Sequence, residues 1–322
     1  MHADRRAFSI DLAHHRAELV LYYRKSQSYE LIVGGIPQSR VSLAYPELLD
    51  YPYVRHIARM LDAAAPAGVP LHTVHLGAGA LTLPRYVAAT RPGSPQLVVE
   101  YERSLGEAVL EALPLPAGAD VTMLWGDARE LAAGAPDSSA ASDSLSPLTP
   151  PRGEQQPLQS PPAPRAYWGW HDVPFTIVDL WDAARVSAHV SSAEFYTLVA
   201  ARMAPGGVMA VNLLDGGAFE YARSQAATLA TLFEHVAVVL DTEPFGHPPI
   251  DNVVVFASDA PLAVAAHPEL LDDNDNDEDD LAGPRPTVLS GTDLARWIGD
   301  ASPVTDATAI DSPDPDDPRF PG

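Results

Sequence analysis

Residues 17–43 alternate apolar and polar positions through "AELVLYY", "YELIV" and "QSRVSL". A period of two with β-branched and aromatic residues predicts short antiparallel strands, with "RKSQS" and "GGIP" as the turns between them. The period then changes. Val54, Ile57, Ala58 and Leu61 within "YVRHIARML" follow helical spacing. From Leu71 onward the pattern alternates. Strands are expected at "LHTVHLG", "QLVVEYE", "DVTMLWGDA", "PFTIVDLWD" and "VMAVNLL". Helices are expected over Leu81 to Ala89, from Ser104, in "SSAEFYTLVAARMAPGG" and over Phe219 to Glu234. The third of these helices has the capping-box spacing Ser191–Glu194 and a Gly206–Gly207 stop. Alternating strands and helices predict an α/β domain with a mainly parallel sheet covered on both faces. "VAVVLDT" and "NVVVFAS" are joined by only the short, Pro-rich "EPFGHPPID". They are therefore expected as an antiparallel pair.

Composition sets the boundaries. Gly134 to Arg165 is dense in Pro and Ser and poor in large apolar residues, and reads as a disordered insertion. Pro268 to Gly322 holds 15 acidic residues against 3 arginines, about half of the net charge of −23. The division expected is a small β region with a linking helix over 1–60, a nucleoside-binding α/β domain over 61–262, and an acidic, mostly disordered tail over 263–322. Within the tail, "TDLARWIG" has the pattern of one or two amphipathic turns that dock back on the body. Asp273, Asp275 and Asp277 share the opening spacing of a calcium loop, but Glu278 and Pro284 stand where Gly and Glu are required.

The acidic balance argues against nucleic-acid partners, whose binding needs clustered Lys and Arg. The chain has no cysteine, which removes disulfides and thiolate chemistry, and its sole lysine is Lys25 in a turn. With no signal-like apolar core and no apolar run of spanning length, no membrane partner and a cytoplasmic location are expected.

Candidate chemistry lies at strand ends. "HTVHLGAGALTLPRY" carries Gly77 and Gly79 between a strand and a helix, where small residues let the backbone approach a ligand. Glu100 ends the next strand about twenty residues on, where an acid binds ribose hydroxyls. Asp127, after the third strand, has the position to accept from an exocyclic amine, or to cap the next helix. Asp179-Leu180-Trp181-Asp182 puts two carboxylates at the exit of the fourth strand. Such a pair holds a cationic amine and takes its proton. His72 and His75 point to opposite faces of a strand, so a shared metal is not expected.

Together these residues resemble the spermidine synthase (polyamine aminopropyltransferase) family, over roughly residues 17–258. The resemblance implies a Rossmann-like S-adenosylmethionine-dependent methyltransferase fold preceded by a small N-terminal antiparallel β domain. It places a nucleoside-contacting glutamine on Gln38 in "VGGIPQS" and a substrate-gating tyrosine on Tyr53, with Tyr51 as the alternative register. It gives Gly77 and Gly79 the glycine turn, Glu100 the ribose, and Asp127 the adenine side. Asp179 becomes the proton acceptor and Asp182 the second acid. Ala80 stands in place of the family's acid, Leu81 and Thr82 in place of its last glycines, and Arg55 in place of a common glutamate. The function implied is a polyamine-biosynthesis transferase with no tightly bound cofactor. It moves an aminopropyl group from decarboxylated S-adenosylmethionine to a small-molecule amine, and family members form dimers, so a homodimer is expected. Two alternatives stand beside it. One is a methyltransferase using S-adenosylmethionine, with Arg55 and Arg85 as partners for the donor carboxylate. The other is a non-catalytic binding protein on the same fold.

Overall fold

A computed structural model describes residues 6–134, 145–147, 170–272 and 285–314. The chain opens with a four-stranded antiparallel sheet in sequential order: β1 (Arg6–Asp11), β2 (Arg16–Tyr23), β3 (Ser28–Val33) and β4 (Ile36–Ser42). The alternating segments form β2 to β4 as expected. β1 is an addition, and it pairs with β2 through Ser9↔Glu18 and Ile10↔Ala17.

Helix α1 (Pro52–Ala64) leads into the second sheet, its proline at the first turn where a missing N–H costs nothing. Its buried residues include Val54, Ile57, Ala58 and Leu61, the helical stripe seen in the sequence. There follow β5 (Thr73–Leu76), α2 (Thr82–Thr90), β6 (Pro95–Glu100), α3 (Arg103–Ala112), β7 (Asp120–Trp125), α4 (Ala128–Ala133) and β8 (Leu145–Pro147). After these come β9 (Val173–Val178), α5 (Ala193–Ala200), β10 (Met203–Asp215), α6 (Glu220–Leu229), β11 (His235–Leu240), β12 (Asp251–Ser258), α7 (Ala263–Ala266), β13 (Thr287–Ser290) and α8 (Gly291–Ile298).

The nine strands are ordered β13-β11-β12-β10-β9-β5-β6-β7-β8. Five neighbours, β7, β6, β5, β9 and β10, run parallel. β11 and β12 are the antiparallel pair that their short connection requires. The order reverses between β5 and β9, which opens a crevice at the carboxyl ends of the strands. One face of the sheet packs Val74, Leu76, Val178 and Val211 against Phe195, Tyr196 and Ala222. The other packs Phe175, Ile177 and Ala210 against α1 and α2. A third cluster joins the small sheet to the large one. Leu19, Leu31 and Val41 meet Ala80, Leu81, Leu105 and Val109, so the N-terminal sheet rests on the turn between β5 and α2.

Three expectations need correction. First, the region beyond residue 263 is largely built into the fold among the described residues. β13 pairs with β11 through Val238↔Leu289 and Val239↔Val288. Trp297 of α8 is buried, packs on Phe219 at 5.7 Å and donates to the Pro244 carbonyl at 2.9 Å. This helix is the amphipathic "TDLARWIG" pattern expected to dock back on the body, and β13 before it is an addition. The acidic run Asp273–Asp280 itself lies outside the described residues, as do residues 135–144 and 148–165 of the segment expected as a disordered insertion. Second, within that segment residues 145–147 pair with β7 as β8. Third, Ser192, not Ser191, caps α5, accepting from Phe195 N at 3.2 Å. The glycines Gly206 and Gly207 lie inside β10, where its register against β9 shifts.

Candidate active site

A cleft of about 580 Å³ lies at the carboxyl ends of β5, β6, β7 and β9, and its walls include the edge of the N-terminal sheet. All eight residues expected from the sequence line it: Gln38, Tyr53, Gly77, Gly79, Glu100, Asp127, Asp179 and Asp182.

The turn after β5 is set by close backbone approach. Gly77 has φ 94°. It donates to Val99 O at 2.8 Å, while Asp179 N donates to Leu76 O at 2.9 Å. A Cβ on Gly77 would overlap the Asp179 carbonyl oxygen, and one on Gly79 would overlap Ser39 Oγ. The turn then buries itself. Ala80 and Leu81 are enclosed in the cluster beneath the N-terminal sheet, and Ala80 N donates to Ser39 Oγ at 3.2 Å. Leu81 holds φ 60°, a left-handed conformation that glycine adopts without cost. Position 80 therefore faces the core in this chain, and an acid there would be buried rather than presented to a ligand.

Glu100 is fixed on both oxygens. It accepts from Ala78 N at 2.9 Å and Glu102 N at 2.8 Å. Burial raises its pKa, against the lowering effect of those backbone donors. Each carboxylate oxygen keeps a second lone pair for a ligand hydroxyl. Asp127 caps α4 through Oδ1, accepting from Arg129 N at 2.8 Å and Glu130 N at 2.9 Å. His189 Nε2 sits 3.3 Å from the same oxygen.

Asp179 is the half-buried acid of the pair. Trp181 Nε1 donates to its Oδ1 at 2.6 Å and Asn212 Nδ2 at 2.9 Å. Tyr53 OH lies 3.5 Å from Oδ2. Burial raises the Asp179 pKa, opposed by these three donors. Burial, followed by the Asp179 charge, holds the Tyr53 hydroxyl well above its ordinary range. Asp182 is different. Its side chain is 69% exposed and pairs with His15 Nε2 at 3.2 Å, and its backbone closes a tight turn with Arg185. Gln38 donates to the Ala183 carbonyl in that turn, tying β4 to the segment after β9. Arg55 and Arg85 do not line the cleft. Arg55 bonds to the carbonyls of Leu49 and Asp50, and buried Arg85 to those of Ala80, Leu113 and Pro114.

A strap formed by residues 301–314 runs behind the wall 185–194. Ala193 N donates to Val304 O at 2.8 Å and Ser312 N to Val186 O at 2.9 Å. Val186 N returns a bond to Ser312 Oγ at 2.8 Å, and Ala188 N donates to Asp311 Oδ1 at 2.9 Å. Asp306 accepts from Arg129 at 2.7 and 2.5 Å and from Ser192 Oγ at 2.5 Å. Arg129 also donates to His189 O at 2.9 Å. The strap thus braces both Asp127's helix and the segment carrying His189. Asp306→Asn is expected to weaken the binding of whatever ligand the cleft takes roughly three- to tenfold by titration calorimetry, without contact to that ligand. Arg129 and Ser192 pull the Asp306 pKa down to about 2, below its unfolded value of about 3.9. The bracing is therefore present above about pH 4 and lost as pH falls toward 2. Unchanged affinity in the Asp306→Asn protein would leave the strap without influence on the cleft.

Several contributing residues escaped the sequence reading: Ser39, His189, Asn212 and Asp306. Trp181 was visible within "DLWD", and its placement two residues from Asp179 on an extended exit was the available signal.

No family model matches the chain, and no curated protein matches it. Solved structures do. A probable spermidine synthase from Corynebacterium glutamicum ATCC 13032 matches at TM-score 0.69 and 22% identity, covering 92% of this chain and 95% of that one. The fold is theirs to share. The spermidine synthase of Thermotoga maritima matches at TM-score 0.52 and 14% identity, over 80% and 73% of the two chains. A spermidine synthase in complex with the transition state analogue AdoDATO matches at 0.50 and 15%, over 80% and 74%. The chain has the S-adenosylmethionine-dependent methyltransferase fold with an antiparallel sheet at its N-terminus. At these identities the likeness speaks for architecture, and the reaction has to be argued from the cleft.

Proposed function

We propose that the chain is a spermidine synthase-like aminopropyltransferase using decarboxylated S-adenosylmethionine and a small-molecule amine. The observation that carries this reading is the charge of the cleft. Glu100, Glu102, Asp127, Asp179 and Asp182 line it, with no lysine or arginine among the lining residues described. A decarboxylated donor is cationic and carries no carboxylate, and the alkylammonium acceptor is cationic too. Both are drawn to such a field. The carboxylate of S-adenosylmethionine would need a basic or amide-rich partner, and Arg55 and Arg85 are committed to backbone carbonyls.

In this reading Glu100 accepts from the ribose hydroxyls and Asp127 from the adenine amine. Gln38 contacts the nucleoside, and Gly77 and Gly79 allow the backbone to approach. Asp179 takes a proton from the acceptor ammonium, assisted by Tyr53, while Asp182 meets the cation at the rim. The freed nitrogen lone pair attacks the carbon beside the sulfonium, and the C–S bond breaks with its electron pair going to sulfur. Methylthioadenosine leaves. Burial makes Asp179 a better base than a surface carboxylate and disfavours the ammonium, so both groups move toward transfer. A sulfonium leaves readily, so positioning and deprotonation supply most of the rate.

Calorimetry with the two nucleosides, followed by mass spectrometry of reactions with a panel of primary amines, tests the reading. The decarboxylated nucleoside is expected to bind at least about tenfold more tightly, since an unpaired carboxylate in an acidic cleft costs about 1.4 kcal/mol or more. An amine product heavier by one aminopropyl group should accompany methylthioadenosine. Preference for S-adenosylmethionine would shift the assignment to methyl transfer. Binding of neither nucleoside, nor of methylthioadenosine, would leave a non-catalytic protein.

A further inference from the structure

The two oxygens of Asp179 stand in unlike surroundings. Oδ1 receives two N–H groups, from Trp181 at 2.6 Å and Asn212 at 2.9 Å. Among the described residues, Oδ2 has only the long approach of Tyr53 OH at 3.5 Å. The donor geometry is fixed from outside the carboxylate. Asn212 sits in β10 beside β9 and is 2% exposed. Its amide can face a carboxylate only through Nδ2, because an ionised acid accepts and does not donate. That orientation leaves Asn212 Oδ1 buried with no hydrogen-bond partner among the described residues. An orphaned buried acceptor costs about 1–3 kcal/mol, so the arrangement is not one that stability alone would select. Trp181 lies two residues past Asp179 in the segment leaving β9, and its indole returns to the carboxylate. A buried indole N–H needs an acceptor, and Asp179 supplies it.

We propose that Trp181 and Asn212 are positioning residues that immobilise Asp179 through Oδ1 and reserve Oδ2 as its proton-accepting atom, facing Tyr53 and the incoming amine. The proposal rests on the reading of Asp179 as proton acceptor. A carboxylate held by one oxygen cannot rotate to offer either face, so a single approach direction is selected for the amine nitrogen. The two donors also stabilise the ionised form, which keeps Asp179 available as a base despite its burial. Among the described residues, the titratable side chain that reaches the carboxylate is Tyr53 of α1. Trp181 on the same segment and Asn212 of β10 are neutral.

The test begins without substrate. The indole 1H–15N resonance of Trp181 is identified by its loss in Trp181→Phe. In the wild-type protein it is expected to shift with pH along a single titration that disappears in Asp179→Asn. In Trp181→Phe the Asp179 carboxyl, followed by carbon NMR, should titrate about one pH unit higher for the loss of one strong donor. If transfer activity is present, the acid limb of its pH–rate profile should rise by the same amount, with kcat reduced more than the KM for nucleoside. An indole signal that does not titrate, or one that still titrates in Asp179→Asn, overturns the proposal. A coupled titration in a protein that transfers nothing to any amine overturns the reaction and leaves the divided carboxylate standing.

Discussion

Asp179→Asn is expected to lower aminopropyl transfer by about 10²–10⁴, the usual worth of a positioned general base, with nucleoside affinity changed less than about threefold. The substitution keeps shape and removes proton-accepting capacity. Trp181 and Asn212 retain an amide oxygen to which they can donate. The groups assigned to the nucleoside lie elsewhere, Glu100 at the end of β6 and Asp127 after β7. Stability should move the opposite way from activity. Burial raises the folded-state pKa of Asp179 above its unfolded value. For such a group the stabilising contribution is present below the unfolded pKa, about 3.9, and is lost as pH rises through the folded pKa. The asparagine at this position carries no such loss. The variant's urea midpoint should equal or exceed that of the wild type at pH 7, and the difference should shrink below about pH 4. Equal turnover in the two proteins would remove Asp179 from catalysis, and a variant that is less stable at neutral pH would make it a structural acid.

The central strands were legible because they are buried on both faces. "LVVE", "TIV" and "VMAVN" are continuous apolar runs, and they became β6, β9 and β10. Six of the eight expected cleft residues were legible for a topological reason, whereas Gln38 in β4 and Tyr53 in α1 came from the family resemblance. Each of the acids and glycines ends a parallel strand or follows one, and parallel strand ends share one edge. What failed depended on three-dimensional pairing. In β1, Phe8, Ser9 and Ile10 are only partly buried and Ala7 and Asp11 are exposed, and its partner β2 is what makes it a strand. β13 buries Leu289 within an acidic region whose average gave no core signal, whereas Leu294 and Trp297 of α8 lie in the "TDLARWIG" pattern that did read as docking on the body. Ala80 looked from the sequence like a missing ligand carboxylate. Its burial beneath the N-terminal sheet shows that the turn exchanged that possibility for a packing contact. His189 and Asp306 join Asp127's surroundings from a turn and a strap 62 and more residues away, and no local pattern encodes such a meeting.

Gly77→Ala is expected to cost about 3–5 kcal/mol of stability, the range reserved for a named structural fault, and to eliminate nucleoside binding. Two effects add at this position. The residue holds φ 94°, outside the regions open to a side chain, at a cost of about 1–3 kcal/mol. The new methyl group would also overlap the Asp179 carbonyl oxygen, a backbone atom that cannot rotate away. Relief requires separating β5 from β9, and the bond from Asp179 N to Leu76 O resists that separation at 2.9 Å, while Gly77 N is itself held to Val99 O of β6 at 2.8 Å. The overlap therefore adds about 1–3 kcal/mol. Gly35→Ala separates the two effects. Gly35 has a similar φ of 85°, but its added Cβ meets nothing within 4 Å. It should cost only about 1 kcal/mol and leave binding intact. Urea denaturation of both variants, with calorimetry of each against the nucleoside, reads the difference directly. If the two alanines cost the same, the approach of β5 to the Asp179 carbonyl does not constrain this turn. Its glycine would then be a matter of backbone conformation alone, and the strongest structural link between the Gly77 turn and the strand end carrying Asp179 would be gone.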